Sequence, residues 1–448
     1  MAATSRYNPA LAADRAAAYA AAPMQASRDR DPLPWCLAIG FAFLLVCLHR
    51  LGIPNKIYFD EVHYVKAARK LLQGLPANRE HPMFAKEVIA GSIALLGDRP
   101  WAWRIPSVLF GVLGLHAYGR LVWYVTLRRR ATILAAVLLA TDFLWFAQSR
   151  IAMLDMVSAG LGMVALWQFA ALIREPARMP RLRLAACGIA LGLSLGAKWS
   201  IAPALALPGL TFLALRIRES GWRVIGSRGS GPVPGVSLVE AALWLGVLPL
   251  ALYWLTYLPG FFWTDRPIDP LGFVHHHQYM LKLQDSVKKL HPYRSVWYQW
   301  VINWRAIWYL YEFVDGAQRG ILMIGNPFTM LAGLPALLWC LWVGIRQRRW
   351  DALAFVVLYV ATLMLWAVNG KPIQFYYHYL LPAAFLMACL ALALDAIWSR
   401  ADRWRWLAPA SMVVALGMFV YFYPIISAAR LHHGKQSYAQ YMWLRSWR

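Results

Sequence analysis

Long apolar segments separated by short charged connections run through most of this sequence. A helix that crosses the roughly 30 Å hydrocarbon core of a bilayer needs about 20 mainly apolar residues. We identify eleven segments that approach or exceed this length, with predicted limits of 34–49, 103–126, 131–147, 151–173, 183–197, 200–216, 238–258, 319–345, 350–369, 374–398 and 406–428. The pattern predicts an all-α, polytopic integral membrane protein.

Composition supports this class, because 60% of the 448 residues are hydrophobic and 24 are Trp. One soluble core could not accommodate so much apolar surface. The net charge of +24 could indicate nucleic-acid binding. The arginines, however, are scattered among the connections instead of forming one basic face, which favours contact with lipid headgroups.

The arginine clusters also predict the orientation, since short cytoplasmic loops carry excess Lys and Arg. The clusters fall in every second connection, so placing all of them in the cytoplasm requires a cytoplasmic N-terminus and eleven spans. We therefore predict a disordered cytoplasmic tail (1–33), a transmembrane domain (34–428) and a short exterior C-terminal tail (429–448). The expected location is the inner (plasma) membrane, with the exterior loops in the periplasm or its equivalent.

Two exterior loops are large enough to form a site, residues 50–102 and 259–318. The first contains two amphipathic stretches, about 60–73 and 84–96, separated by the helix-breaking run Gly74-Leu75-Pro76-Ala77-Asn78. Such stretches are typical of helices that lie on a membrane surface. The second loop is rich in His, Trp and acidic residues.

The adjacent carboxylates Asp60 and Glu61 directly follow the first span and its short connection. Carboxylates near a bilayer surface are costly to desolvate, so their presence in an acid-poor chain suggests chemistry. The alternative interpretation is a solvated acidic loop.

Several short motifs occur in an order that resembles the protein O-mannosyltransferase family, the dolichyl-phosphate-mannose–protein mannosyltransferases. They are Phe59 to Tyr64, His81 to Lys86, Trp103 to Ser107, Gln148 to Asp155, Ala197 to Ser200, His291 to Trp297, Ile324 to Pro327 and Tyr377 to Pro382. The resemblance implies a GT-C membrane glycosyltransferase that moves mannose from polyprenyl-phosphate-mannose to Ser or Thr hydroxyls of exported proteins. The second exterior loop is too short for a MIR domain, as expected of bacterial-type members.

The residues themselves suggest how such a transfer would proceed. A hydroxyl nucleophile is weak, so it needs a carboxylate base within hydrogen-bond reach. We assign this role to Asp60, with Glu61 positioning the acceptor or the loop. A single base opposite the leaving group implies one displacement with inversion.

Positive charge is needed where the lipid phosphate leaves. Lys198 is the first candidate, because a lysine within an apolar span costs about 2.5–3.5 kcal/mol and has no acid nearby in sequence to pair with it. Arg104, Arg150 and Lys86 are further candidates for binding the donor phosphate. The alternatives are a snorkelling side chain for Lys198 and interfacial anchors for the arginines.

We assign His81, His291, Tyr377 and His378 to the acceptor or sugar site. An interfacial aromatic belt is the alternative for the aromatic residues. No cofactor is required by the motifs. A divalent metal ion stays open as an alternative, with ligands from the run of three histidines at 275–277 and from Asp265 and Asp269.

Two other functions remain to be distinguished. One is a GT-C transferase of another sugar, such as aminoarabinose, to lipid A or a glycan. The other is a transporter, which would need ionisable residues near the midplane of several spans. In this sequence the acids lie at the exterior ends of the spans, which disfavours transport.

Overall fold

The computed structural model describes residues 29–221, 224–225, 231–286, 291–371 and 373–448. Most of the predicted cytoplasmic tail, up to residue 28, lies outside the described residues. The described chain is mostly helical, which confirms the predicted class.

The helices are labelled in chain order, and short 3₁₀ turns precede several of them. They are α1 (Leu33–Leu48), α2 (Glu61–Leu72), α3 (Phe84–Leu96), α4 (Pro100–Thr126), α5 (Arg129–Ala140), α6 (Phe143–Gln148), α7 (Leu154–Arg174), α8 (Pro180–Ala197), α9 (Ala202–Ser220), α10 (Leu238–Leu255, with a π-helical turn), α11 (Leu258–Phe261), α12 (Phe273–Asp285), α13 (Trp297–Val301), α14 (Pro327–Arg346), α15 (Trp350–Val368), α16 (Leu380–Trp398) and α17 (Leu407–Ile426).

Eight of these helices, in the described part of the chain, are long and apolar enough to cross a membrane. These helices are α4, α7, α9, α10, α14, α15, α16 and α17, some of them extended by a preceding 3₁₀ turn. The predicted count of eleven is not confirmed. Helix α1 has only 16 residues. The predicted span 131–147 is divided between α5 and α6, because the Asp142 side chain accepts a hydrogen bond from the Trp145 amide and starts a new helix there.

A β-hairpin replaces the beginning of the span predicted at 319–345. Strands β1 (Ile307–Val314) and β2 (Ala317–Met323) pair antiparallel, and α14 begins only at Pro327. The connecting residues Asp315 and Gly316 both have positive φ, 49° and 69°. Asp-Gly is a favoured pair for a two-residue hairpin turn, because its left-handed backbone matches the strand twist. The span prediction was therefore wrong over residues 319–323.

The hairpin fastens the first exterior loop to the rest of the molecule. The Asn55 amide donates to the Asp315 carboxylate at 2.8 Å, and Lys56 forms a 2.7 Å ion pair with Glu312. On its other strand, the carbonyl of Gly320 accepts a hydrogen bond from the Ala428 amide, just after α17. The exterior loop is thus held in one position over the helical bundle.

The two predicted amphipathic stretches of this loop are helices α2 and α3, as expected. Their apolar faces are buried, through Tyr64, Val65 and Ala68 on α2 and through Ile89 and Ile93 on α3. Below them, α4 packs on α7 and α7 packs on α8. This arrangement brings the start of α2, the start of α7 and the end of α8 close together.

Gly160 allows the close approach of α7 to α4. A Cβ at this position would lie 2.4 Å from the backbone oxygen of Phe110, which cannot move without the helix. Small residues permit such contacts between membrane helices. We expect Gly160→Ala to separate the helices and lower the thermal unfolding temperature of the detergent-solubilised protein.

Gly417→Ala in α17 is the matched control, because nothing lies within 4 Å of the place that its new methyl group would take. It should leave the unfolding temperature unchanged or raise it slightly through better helix propensity. Equal effects of the two substitutions would contradict the packing role of Gly160.

Candidate active site

The predicted base, Asp60, follows a residue with a strained backbone. Phe59 has φ of 48°, in the left-handed region, which costs a non-glycine residue on the order of 1–3 kcal/mol. The Phe59 ring stacks on Tyr309 of β1 with a 4.0 Å centroid distance and contacts the edge of Tyr377 at 6.2 Å. The aromatic contacts hold the conformation that directs Asp60 into the site at the start of α2.

Glu61 is completely buried and fully hydrogen-bonded. Its carboxylate accepts two bonds from Arg104, at 2.8 and 3.0 Å, and one each from the amides of Ala152 and Tyr58, at 3.1 and 3.3 Å. No oxygen lone pair faces open space for a substrate. Of the two predicted roles for Glu61, the geometry therefore favours positioning of the loop over positioning of the acceptor.

Arg104 uses all five of its N–H donors inside the protein. Besides the two bonds to Glu61, it donates to the carbonyls of Leu51, Pro54 and Lys56 at 2.8–3.0 Å. The side chain has no solvent-exposed surface. A phosphate ligand needs a free donor, so the expectation that Arg104 binds the donor phosphate is not supported by its geometry.

Arg150 lies at the exterior end of α1. Its guanidinium donates to backbone carbonyls at the ends of α1 and α17, those of Val46, Cys47, His49, Arg50 and Ser427. The last carbonyls of a helix have no partner within it, and a cation satisfies both their bonding and the helix dipole. Arg150 therefore acts as a helix cap here, and its predicted role at the phosphate stays a prediction.

Lys86 has a similar structural role. Its Nζ donates to the carbonyls of Asn78 and His81, and the side chain is fully buried. Burial lowers the pKa of Lys86 to about 7. In this position it holds the turn that leads into α3, so the structure does not place it at a phosphate.

Asp60, in contrast to Glu61, is partly exposed and has no side-chain hydrogen bond or ion pair with any described residue. Burial raises the pKa of Asp60 to about 6, opposed by the positive charges of Lys198 and Lys371 and by His63. Such a carboxylate is ionised at neutral pH and is a stronger base than an ordinary aspartate. This is the character that general-base catalysis requires.

Lys198 is one of two cations that face Asp60. Its Nζ lies 2.7 and 2.8 Å from the two carboxylate oxygens of Asp155 in the first turn of α7. No acid lies near Lys198 in sequence, and its partner in the fold is 43 positions away. The Nζ also lies 5.1 Å from the ring centroid of Tyr377.

Lys371, in the connection between α15 and α16, is the second cation. Burial and the charge of Lys198 lower its pKa, while Asp285, Asp60 and Asp155 oppose this effect. Its ammonium group makes no hydrogen bond or ion pair with a described residue. The two lysines and the two aspartates form an acid–base cluster at the start of α2 and α7 and at the ends of α8 and α15, here called the lysine–aspartate cluster (Asp60, Asp155, Lys198, Lys371).

A small pocket of about 20 Å³ lies beside this cluster. It is lined by polar groups of Asp155, Ser158, Ser200 and Thr362 and by the rings of Trp366, Tyr377 and His378. His378 stacks on Trp366 with a 3.7 Å centroid distance, and its Nδ1 accepts a bond from the Phe375 amide at 3.1 Å. Two of the four predicted sugar-site residues, Tyr377 and His378, therefore line one pocket.

His81 and His291 lie at the edges of the site. His81 packs against Tyr64, and burial together with Lys198 and Lys371 lowers its pKa well below the usual value. It is therefore neutral and belongs to the surroundings of the cluster. The His291 ring packs edge-on against Phe375, with a 5.1 Å centroid distance. Phe375 in turn stacks on Tyr377 and so lies between the two residues.

The histidines proposed as alternative metal ligands are arranged differently. His277 already uses both ring nitrogens, Nδ1 with the Phe273 carbonyl and Nε2 with the Tyr253 hydroxyl, each at 2.6 Å. His275 is exposed on α12. Among the described residues there is no group of three or more side chains with metal-binding geometry. The Tyr253 hydroxyl also accepts a bond from the Trp199 indole. His277 therefore holds Tyr253, which in turn holds Trp199, the residue after Lys198.

Four residues of the site were missed from the sequence: Asp155, Tyr309, Trp366 and Lys371. An acid inside an apolar segment was a usable signal for Asp155. The Asp-Gly turn could have revealed the hairpin that carries Tyr309. Trp366 and Lys371 had no signal that separates them from interfacial residues.

Comparison with known proteins agrees with this geometry. The family model described as dolichyl-phosphate-mannose-protein mannosyltransferase matches residues 37–103 and 97–264, and the C-terminal four TMM region of protein-O-mannosyltransferase matches residues 271–447. The chain belongs to the protein O-mannosyltransferase family. The resemblance inferred from the motifs is confirmed, and with it the multi-pass membrane class.

Relatives and solved structures extend this assignment. A polyprenol-phosphate-mannose–protein mannosyltransferase of Mycolicibacterium smegmatis is 26% identical over 87% of both chains. The structure of the Saccharomyces cerevisiae Pmt1-Pmt2 complex bound to the sugar donor matches 95% of this chain and 94% of that chain, with a TM-score of 0.77 and 13% identity. ArnT from Cupriavidus metallidurans bound to undecaprenyl phosphate matches 88% of this chain and 76% of that one, with a TM-score of 0.56 and 16% identity. These matches confirm the predicted GT-C fold.

The Glu61–Arg104 pair predicts a large stability difference between two glutamate substitutions. Glu61→Gln leaves a buried guanidinium without a counter-charge, a change that typically costs about 3–5 kcal/mol. We expect a clearly lower unfolding temperature in a detergent-based thermal assay. Glu312→Gln is the control, because its ion pair with Lys56 is solvent-exposed and should contribute little. A Glu61→Gln protein as stable as the control would contradict the anchoring role.

Proposed function

We propose that this protein transfers mannose from polyprenyl-phosphate-mannose to Ser or Thr hydroxyls of exported proteins. The observation that carries the proposal is the partly exposed Asp60 carboxylate, which has no hydrogen-bonded partner among the described residues and is acted on by the charges of Lys198 and Lys371, in a family-typical membrane fold. The names of the bacterial relatives and their match along most of the chain support the same substrates.

The reaction is a single displacement. Asp60 accepts the proton of the acceptor hydroxyl as its oxygen forms a bond to the anomeric carbon of mannose. The bond from that carbon to the phosphate oxygen breaks on the opposite face, and polyprenyl phosphate leaves. One base and no second carboxylate nucleophile imply inversion, so a β-linked donor gives an α-linked product.

The leaving phosphate gains negative charge, and positive groups lower the barrier most if they are already in place. We place the phosphate at Lys198 and Lys371. Asp155 holds the Lys198 ammonium in position, and Lys371 has donors to offer because no described side chain occupies them. Tyr377 and His378, with Trp366, supply the ring surfaces and the polar edge against which a sugar can bind.

The donor and acceptor would meet on the exterior side, in the periplasm or its equivalent, with the chain in the inner membrane. This assignment rests on the arginine-rich connections at the opposite ends of the spans. The transfer of another sugar to lipid A or a glycan is the competing function, since ArnT has a related fold but a lower structural similarity.

Transfer of radiolabelled mannose tests the function and the base together. Purified protein should label Ser/Thr-containing peptides from polyprenyl-phosphate-mannose, and Asp60→Asn should lower the rate by about 10²–10⁴-fold with little change in donor affinity. Because the pKa of Asp60 is about 6, kcat/KM should fall as the pH drops below 6 and the base becomes protonated. Labelling of lipid A in place of peptide, or near-normal turnover of Asp60→Asn, would contradict the proposal.

Lys198 and Lys371 should contribute to donor binding, whereas an exposed lysine elsewhere should not. Lys198→Met and Lys371→Met should each weaken donor binding and slow single turnover, because the phosphate is charged in the ground state and more so in the transition state. Lys198→Arg should rescue only partly, since a planar guanidinium does not replace a compact ammonium. Lys435→Met, an exposed lysine of the C-terminal segment, is the control. Normal donor binding by both site variants would remove the lysines from the phosphate site.

Cysteine labelling tests the proposed orientation. All five native cysteines are buried. Cysteines introduced at the exposed positions Gln73 and Ala401, which lie at opposite ends of the spans, should differ in reaction with an impermeant maleimide. Only position 73 should react in intact cells, and position 401 should require permeabilisation. The reverse pattern would show that the site faces the cytoplasm.

A further inference from the structure

Arg50, Arg319 and Arg430 lie near the exterior ends of α1 and α17, away from the lysine–aspartate cluster. A fourth arginine, Arg150, joins these two helix ends, because one of its nitrogens donates to the carbonyls of Arg50 and Ser427, at 3.4 and 3.5 Å. Arg319 of β2 donates to the adjacent Ala428 carbonyl at 2.9 Å. Burial lowers the pKa of Arg319, Asp315 opposes this effect, and the charges of Arg50 and Arg430 add to the lowering. We call Arg50, Arg319 and Arg430 the arginine triad.

The triad carries three positive charges, and Asp315 is the one described carboxylate that acts on Arg319. Arg319 donates only to backbone carbonyls, those of Val314, Asp315 and Ala428. The Nε of Arg50 is buried and has no hydrogen-bond partner, and Arg430 is exposed. The nearby carboxylate of Asp315 accepts a bond from the Asn55 amide. The side chains of Arg50 and Arg430 make no ion pair with a described residue, so their guanidinium groups can bind an anion from outside the chain.

An apolar groove begins where the triad ends. Leu45, Val46 and His49 of the α1 end form one wall, and Phe419, Val420 and Tyr423 of α17 form the other. The groove encloses about 430 Å³. Leu45 is 53% exposed and Val420 is 63% exposed, so its mouth opens on the outer surface of the bundle. His49 and Arg50 are consecutive, which places the arginines at the exterior end of the groove.

We propose that this is a binding site for an anionic phospholipid of the exterior leaflet, with its phosphate on the arginine triad and one acyl chain in the groove. Arginine binds phosphate oxygens through paired N–H donors, and clustered basic residues beside a span attract anionic headgroups. A soluble anion would not need the apolar walls, and an uncharged lipid would leave the triad unbalanced. The polyprenyl donor is the less suitable occupant, because the groove lies between α1 and α17, whereas the pocket beside Lys198 is lined by residues of α7, α15 and α16.

Native mass spectrometry of the full-length protein tests the site without relying on catalysis. The protein is equilibrated with phosphatidylglycerol or phosphatidylcholine of identical acyl chains, and lipid retained per protein is measured. Wild-type protein should retain phosphatidylglycerol at least about tenfold more tightly, the scale of one charge-assisted hydrogen bond. Arg50→Gln/Arg430→Gln should lose this preference, whereas Arg99→Gln/Arg266→Gln, with the same charge change at exposed exterior positions, should keep it.

Val420→Trp tests the groove, since a large ring should fill it and reduce retention of phosphatidylglycerol while the arginines stay in place. Thermal unfolding of each variant verifies that it is folded. Equal retention of the two lipids by wild-type protein, or an unchanged preference in the double variant, would overturn the proposal. So would full displacement of phosphatidylglycerol by inorganic phosphate, which would indicate a site for phosphate alone, or by polyprenyl phosphate, which would assign the groove to the donor.

Discussion

The buried ion pair between Glu61 and Arg104 is the interaction on which the site depends. Two charges removed from water are costly, and they are tolerated only when further hydrogen bonds satisfy them completely. Here the carboxylate accepts four bonds and the guanidinium donates five. Those bonds tie the loop from Leu51 to the start of α2 onto α4 and onto the chain before α7. The position of Asp60 follows from this network.

The pair also explains how two adjacent carboxylates can have different functions. Both oxygens of Glu61 are bonded within the protein, so this residue cannot reach a substrate. Asp60, one residue earlier, is partly exposed and has no hydrogen-bonded partner among the described residues, and it follows the strained backbone of Phe59. The lysines opposite keep it ionised at neutral pH despite its burial. Asp60 and Glu61 are consecutive residues, and their different surroundings suit the first to act as a base and the second to hold the loop.

Sequence analysis predicted the helical membrane class, the helices α2 and α3 and the importance of residues 60 and 61, because these depend on local periodicity and on the rarity of acids near a bilayer. It could not distinguish the cations. Four cations look alike in sequence, and only their partners in the fold distinguish them. Arg104 anchors a loop, Arg150 caps helix ends, and Lys86 supports a turn. Lys198 lies beside the pocket. Glu61 and Arg104 are 43 positions apart, as are Asp155 and Lys198. Such long-range pairs leave no periodic signal in one sequence.

The central claim is that Asp60 reacts and Glu61 supports, and chemical rescue tests it most directly. In Asp60→Ala, removal of the partly exposed side chain leaves a space that solvent can reach, so added formate should restore part of the mannose transfer. In Glu61→Ala, the missing carboxylate lies in a fully buried network, so formate should restore none. Rescue of Glu61→Ala without rescue of Asp60→Ala would contradict the account.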